Sequence, residues 1–129
     1  MPTEPISSET TPPARGHYSA AVLATGTRIL EISGALADGP DGSSIGGDDP
    51  EEQARQCLRN VDGILRAAGA KKTDIVRIGV YLTDMADRAA VARAREEYFG
   101  DHKPAATLVA VKALVLPEFK VEIEATVVF

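Results

Sequence analysis

Over residues 49–69 the apolar side chains Ala54, Cys57, Leu58, Val61, Leu65 and Ala68 recur at intervals of three and four, the spacing that gathers them on one stripe of an α-helix. Both ends are marked. Asp49 can accept hydrogen bonds from the first free N–H groups, Pro50 fits the first helical position, Glu52 stands at capping-box spacing, and Gly69 suits a left-handed terminator. A helix that is apolar on one side only has to bury that side against another layer, so the fold turns on what the rest of the chain supplies.

It supplies strands. Residues 74–83 predict one, with Val76, Ile78, Val80 and Leu82 on one side and Ile75, Arg77, Gly79 and Tyr81 on the other. Both sides are partly apolar, which places this strand inside a sheet. Residues 119–128 predict another, in which Val121, Ile123, Ala125 and Val127 share one face and Lys120, Glu122, Glu124 and Thr126 share the other. A further strand is expected over 107–112. A second helix is expected over 85–99, with Val91, Ala94 and Tyr98 inward, Arg88, Arg93 and Arg95 outward, and Gly100 at its end. Upstream, residues 19–25 and 28–33 flank Gly26-Thr27 at the spacing of a β-hairpin, and residues 38–49 carry loop chemistry. Residues 1–15, with Pro2, Pro5, Pro12 and Pro13 among Ser, Thr and Glu, are expected to form a mobile arm ahead of a single domain, 16–129. The order β-β-α-β-α-β-β buries both helical stripes in an α+β domain with one mixed sheet and two helices on one face. The opposite face is expected to keep apolar side chains and to be covered by self-association.

With 129 residues, 44% of them hydrophobic, one domain can bury an ordinary core, and with aromatics at 5% and no Trp that core must be aliphatic. A formal charge of −5 and no basic block longer than Lys71-Lys72 leave no footprint for a phosphate backbone, so nucleic acid is not expected as a ligand. The single cysteine, Cys57, excludes an internal disulfide and reads as a small buried hydrophobe. No apolar stretch approaches the length of a membrane span, and the first residues lack the regions of a secretory signal; a cytoplasmic protein is expected. His17 and His102 are the only histidines, no Cys/His ligand spacing occurs, and no Gly-rich phosphate loop joins a strand to a helix. No metal or organic cofactor is expected.

Several short stretches carry a resemblance when taken in order: Gly16-His17-Tyr18-Ser19-Ala20, Ser33-Gly34, Glu52-Gln53-Ala54, Asn60-Val61, Ala68-Gly69, Asp74-Ile75-Val76, Val80-Tyr81-Leu82-Thr83-Asp84-Met85, Tyr98-Phe99, Pro104-Ala105 and Val121-Glu122-Ile123-Glu124-Ala125. In these the chain resembles the RidA family, formerly called YjgF. The resemblance implies a chorismate-mutase-like domain that assembles as a homotrimer, a trimeric barrel, with clefts between subunits. Typical members take small imines or enamines there and hydrolyse imino acids to 2-keto acids and ammonia without a cofactor. Carried onto this chain, the resemblance makes Glu122 the carboxylate that holds the attacking water and Tyr18 its catalytic companion. Ser33, Gly34, Ala106, Thr107 and Leu108 become substrate-contacting positions, with backbone N–H groups at Gly34 and Leu108.

One position departs from that pattern. The family's hallmark arginine follows Pro-Ala, and Ala106 stands in its place here. Without that guanidinium a small imino acid loses its carboxylate clamp, so the resemblance implies an atypical substrate, with Arg15 or Lys112 as replacement cations. The retained positions equally suit a non-catalytic binder of a small metabolite or partner, or a cyclase or tautomerase using the same cleft. The ribonuclease activity sometimes assigned to the family would need a basic groove, which the net charge opposes. His17, if in a strand, points away from Tyr18 and reads as a surface residue; His102 reads as a solvated turn residue.

Overall fold

Asp49 does cap the first helix: its carboxylate accepts from the N–H groups of Glu51 and Glu52, at 3.0 and 3.4 Å. The helix, α1 (Pro50–Ala68), ends where Gly69 turns left-handed at φ 79°. Its buried stripe, Ala54, Cys57, Leu58, Val61 and Leu65, is the expected one, with Gln53 and Gln56 buried beside it. The computed structural model describes residues 3–129.

The strand layer is a four-stranded sheet in the order β3 (Ile29–Ala35), β6 (Val121–Val128), β4 (Ile75–Leu82), β5 (Ala105–Ala110). β6 lies antiparallel to both β3 and β4, while β4 and β5 are parallel and joined through α2 (Arg88–Phe99), the crossover that parallel neighbours require. From the sheet, Ile32, Ile78, Val80, Leu82, Val121, Ile123, Ala125 and Val127 meet Leu58, Val61 and Leu65 of α1 and Val91, Ala94 and Phe99 of α2 in one core. Each fully buried aliphatic chain there contributes about 1.5–3 kcal/mol. Gln53 ties this core to the start of β6. Its Nε2 donates to the carbonyls of Gly47 and Glu118 at 2.7 and 2.9 Å, and its Oε1 accepts from the Lys120 N–H at 2.8 Å.

Several expectations are corrected. β4 carries a register shift between Ile75 and Arg77, so Ile75 turns to the helix side and is fully buried rather than sharing a face with Arg77. Residues 85–87 form a 3₁₀ turn ahead of α2, and Arg95 is buried rather than outward. His102 is half-buried, its ring bonded through Nε2 to the Ile75 carbonyl at 2.8 Å. The face away from the helices is largely polar, with Glu31, Arg77, Tyr81, Glu122, Glu124 and Thr126 on it, because the period-two alternation of β6, and of β4 from Arg77 onward, is kept.

The largest correction concerns the N-terminal quarter. The expected hairpin between 19–25 and 28–33 does not close, and residues 3–6 of the expected arm are a strand. β1 (Thr3–Ile6) pairs antiparallel with β2 (Ala21–Ala24), and β3 pairs with β6. Residues 7–15 of the expected arm form no helix or strand and are exposed, and residues 1–2 lie outside the described residues. Other partners satisfy this segment's backbone: the N–H groups of Thr27 and Arg28 both donate to the Phe129 carbonyl at 3.1 and 2.8 Å, and Ser19 N–H donates to Pro104 at 3.2 Å. Residues 15–28 thus form a strap from the end of β6 to the start of β5. Among the described residues, no helix is long and apolar enough to cross a membrane.

Candidate functional site

Register decides which sequence-identified residues can meet. Glu122 stands opposite Tyr81 on the face away from the helices, whereas Ala106 and Leu108 stand opposite Ile78 and Val80 and face the helix side. The residues therefore fall into two groups on opposite faces of the sheet.

The first group is Glu122 with Ser33 and Gly34. The β3–β6 register shifts between Ile32 and Ala35, and in that bulge Gly34 lies against the Glu122 carboxylate. A Cβ added at Gly34 would stand 2.0 Å from Glu122 Oε2 and 2.6 Å from its Cδ. Gly34 has no positive φ, so glycine is required here for close approach and not for backbone conformation. Glu122 is half-buried and, among the described residues, makes no side-chain hydrogen bond or ion pair. Its neighbour Glu124 is engaged: it accepts from the Tyr81 hydroxyl at 2.7 Å, and that hydrogen bond, foremost, raises the Tyr81 pKa. On the same face Ser33 lines a cavity of about 280 Å³ with Arg77 and Glu124. Thr107, exposed, accepts from Arg77 Nη2 at 2.9 Å.

The second group surrounds a cavity of about 380 Å³ between the strap, α2 and β5. Ala106 and Leu108 form its sheet wall, Tyr18 and His17 come from the strap, and Arg88, Ala92 and Arg95 come from α2. The Arg15 N–H donates to the Tyr18 hydroxyl at 3.1 Å, which fixes the ring. His17 lines the same cavity as Tyr18 rather than pointing away, because this stretch turns, with Tyr18 N–H donating to the Gly16 carbonyl at 3.0 Å. The His17 ring bonds through Nε2 to the Gly100 carbonyl at 2.7 Å and lies 6.2 Å from the Phe99 ring. Arg15 lines the cavity as anticipated; Lys112 is exposed and does not.

Arg95 was not anticipated. It is only 6% exposed, and its Nη2 donates to the His17 carbonyl at 3.0 Å. Burial, and next the positive charge of Arg88, lowers its pKa below the usual guanidinium value. The sequence did hold a signal for it: Arg88, Ala92 and Arg95 stand at i, i+4 and i+7, one stripe of α2. Cys57 is fully buried in the core, where burial pushes its thiol up to about 12, far from nucleophilic use.

This arrangement can be set beside known proteins. The pattern of the family described as Endoribonuclease L-PSP matches residues 8–129. A RutC family protein of Pyrococcus horikoshii is 40% identical over 123 residues, covering 95% of this chain and 94% of its own. The human 2-iminobutanoate/2-iminopropanoate deaminase is 35% identical, covering 95% and 88%. This chain belongs to the RidA family. Among solved structures, the conserved Rid family protein YyfB of Yersinia pestis superposes on this RidA-family chain with a TM-score of 0.91 at 36% identity, covering 100% of both chains. Yeast Mmf1 gives 0.74 at 32% identity, covering 98% of each. The mixed α+β architecture described above is that of the Rid structures.

Proposed function

We propose that this RidA-family chain hydrolyses the C=N bond of an imine, or of an enamine through its imine tautomer. Water held by Glu122 adds through oxygen to the imine carbon while the carboxylate takes its proton; the nitrogen, protonated in turn, leaves as ammonia, and a carbonyl compound remains. One observation carries this reading: a half-buried carboxylate with no partner among the described residues, lying against a glycine at which a Cβ would collide with it. The names borne by the human relative and by Reactive Intermediate Deaminase A of Arabidopsis thaliana, 35% identical to this chain, agree with it.

Because Glu122 and Tyr18 lie on opposite faces of the sheet, one chain does not complete such a site. We propose a homotrimer in which the Tyr18 and Leu108 group of one copy approaches the Glu122 and Gly34 group of the next. Ala106 makes the substrate atypical, so 2-iminopropanoate turns over more slowly here than in relatives bearing arginine at that position. The test generates imino acids in place with an amino-acid oxidase and follows ammonia release above the spontaneous rate. Glu122→Gln should lower kcat at least about 10²-fold and leave the sedimentation mass at three chains. Unchanged turnover in that variant refutes the role of Glu122. Ala106 also favours a second reading, a small-molecule binder without turnover, which saturable binding of an imine analogue with no product would identify.

A further inference from the structure

The cavity under α2 holds an electrostatic imbalance. Three guanidinium groups, those of Arg15, Arg88 and Arg95, line it, and no carboxylate does. Among the described residues, none of the three takes part in an ion pair; the pairs formed by arginines use Arg55, Arg66 and Arg93. Glu96, the acid whose charge reaches Arg95, is an exposed neighbour outside the lining. Arg88 reaches across to the strap, its Nη2 lying 4.0 Å from the position of a Cβ on Gly16.

The hydrogen-bond inventory points the same way. Arg95 Nε is a buried donor without a partner among the described residues, and Arg95 lines this cavity. His17 Nδ1, also unpartnered, is an acceptor in the neutral ring because Nε2 donates to the Gly100 carbonyl, so the unmet donor is that of Arg95. Native structures rarely leave a buried donor unsatisfied, and Arg95, although its Nη2 donates to the His17 carbonyl, has no carboxylate paired with it among the described residues to balance its buried charge, so the site suits an acceptor. A planar fork of N–H donors matches the two oxygens of a carboxylate or two oxygens of a phosphate.

We propose that this cavity is an oxyanion site, with Arg95 as its inner anchor and Arg88 and Arg15 at its mouth, and that it grips the anionic end of the substrate in place of the guanidinium absent at Ala106. The assignment to substrate rests on the hydrolase reading above; anion binding itself does not. The site takes a carboxylate or a phosphate.

The experiment titrates the full-length protein with succinate and, separately, with inorganic phosphate by calorimetry at constant ionic strength. Saturable binding of one anion per chain is expected, weakened at least tenfold by Arg88→Gln and by Arg95→Gln. Arg93→Gln, on the same helix but outside the cavity, should leave affinity within twofold. Arg88 is exposed, so its variant keeps the test decisive if Arg95→Gln fails to fold. Tighter succinate binding points to a carboxylate-bearing substrate and tighter phosphate binding to a phosphorylated one; both support the site. No saturation by either anion at tens of millimolar, or equal weakening by Arg93→Gln, overturns it. Anion binding that survives Glu122→Gln in a protein that turns over no imine supports the site and removes only the hydrolase reading. Imine turnover whose KM is unmoved by Arg88→Gln overturns the substrate assignment and leaves the hydrolase reading standing.

Discussion

Gly34→Ala separates the position of Glu122 from the stability of the fold. The added Cβ would stand 2.0 Å from Oε2, 2.6 Å from Cδ and 2.9 Å from Cγ, so the oxygen must retreat by about 1.4 Å to reach ordinary van der Waals separation, and the whole carboxylate has to change rotamer. The backbone need not move, since Gly34 is not left-handed and its obstacle is the far end of a flexible side chain. An off-rotamer glutamate costs about 0.5–1.5 kcal/mol, and the reduced freedom of the unfolded chain offsets about 0.4–1 kcal/mol of that. Stability should therefore change by less than about 1 kcal/mol, a Tm shift of a few degrees. Activity should not be spared, because a misplacement of about 1 Å in a catalytic group can cost about 10²-fold. The assay pairs kcat/KM on the best imine with Tm by circular dichroism. In a Glu122→Ala background the obstacle is gone, so Gly34→Ala should then raise stability by about 0.4–1 kcal/mol. Retained activity in Gly34→Ala, or the same stability change in both backgrounds, would refute the contact and the role built on it.

Cys57 should resist iodoacetamide at pH 8 in the native protein and react once the chain is unfolded, read as a mass increase, because the thiol is fully buried and raised to about 12. Asp49→Ala should cost about 0.5–2 kcal/mol in denaturant unfolding through loss of the α1 cap. Glu51 is held below its ordinary 4.5, first by the hydrogen bond from Arg93 and then by Arg55, against the opposing effect of burial. A carboxylate depressed in the folded state contributes stability above the unfolded pKa and loses it as pH falls through the folded value. The melting temperatures of wild type and Arg93→Ala should therefore differ near neutrality and converge as pH is lowered below about 4.5.

Where one layer alone decides an element, the sequence was legible. The caps and stripe of α1 and the alternation of β6 depend on nearest neighbours in the chain, and the structure reproduces both. Lone residues whose partners lie far along the chain were not legible. Gly26-Thr27 has hairpin spacing, yet Thr27 and Arg28 are bonded to Phe129 and Ser19 to Pro104, so the competing partners are about a hundred residues away. The extra residue in β4 inverted Ile75 because strict alternation cannot register a bulge. For the site, the residues carried by family resemblance divide between two sheet faces, and that division follows from strand pairing, which no spacing within one segment encodes. Arg95 was misread because charge was taken to mean exposure, when its stripe already placed it beneath the strap.

On the anion-site proposal, the small side chain of Ala106 matters for the room it leaves in the cavity. A long cationic side chain there would project from the sheet into the space beneath α2, and the small methyl leaves that space open, with guanidinium groups supplied from the helix and the strap instead. An anion bound in the proposed site would lie against the helix wall rather than the sheet wall, because Arg88 and Arg95 come from α2. On the trimer proposed above, a substrate held by Arg95 has to reach from this cavity to the Glu122 of the next copy, since the Glu122 of the same chain lies on the other face of the sheet. A short imino acid, whose carboxylate is bonded directly to the C=N carbon, has no atoms to make that span. If the anion site proposed above holds the substrate, a molecule whose negative group and C=N bond are separated by several bonds should show a higher kcat/KM than a short imino acid, and the reverse order would refute that assignment.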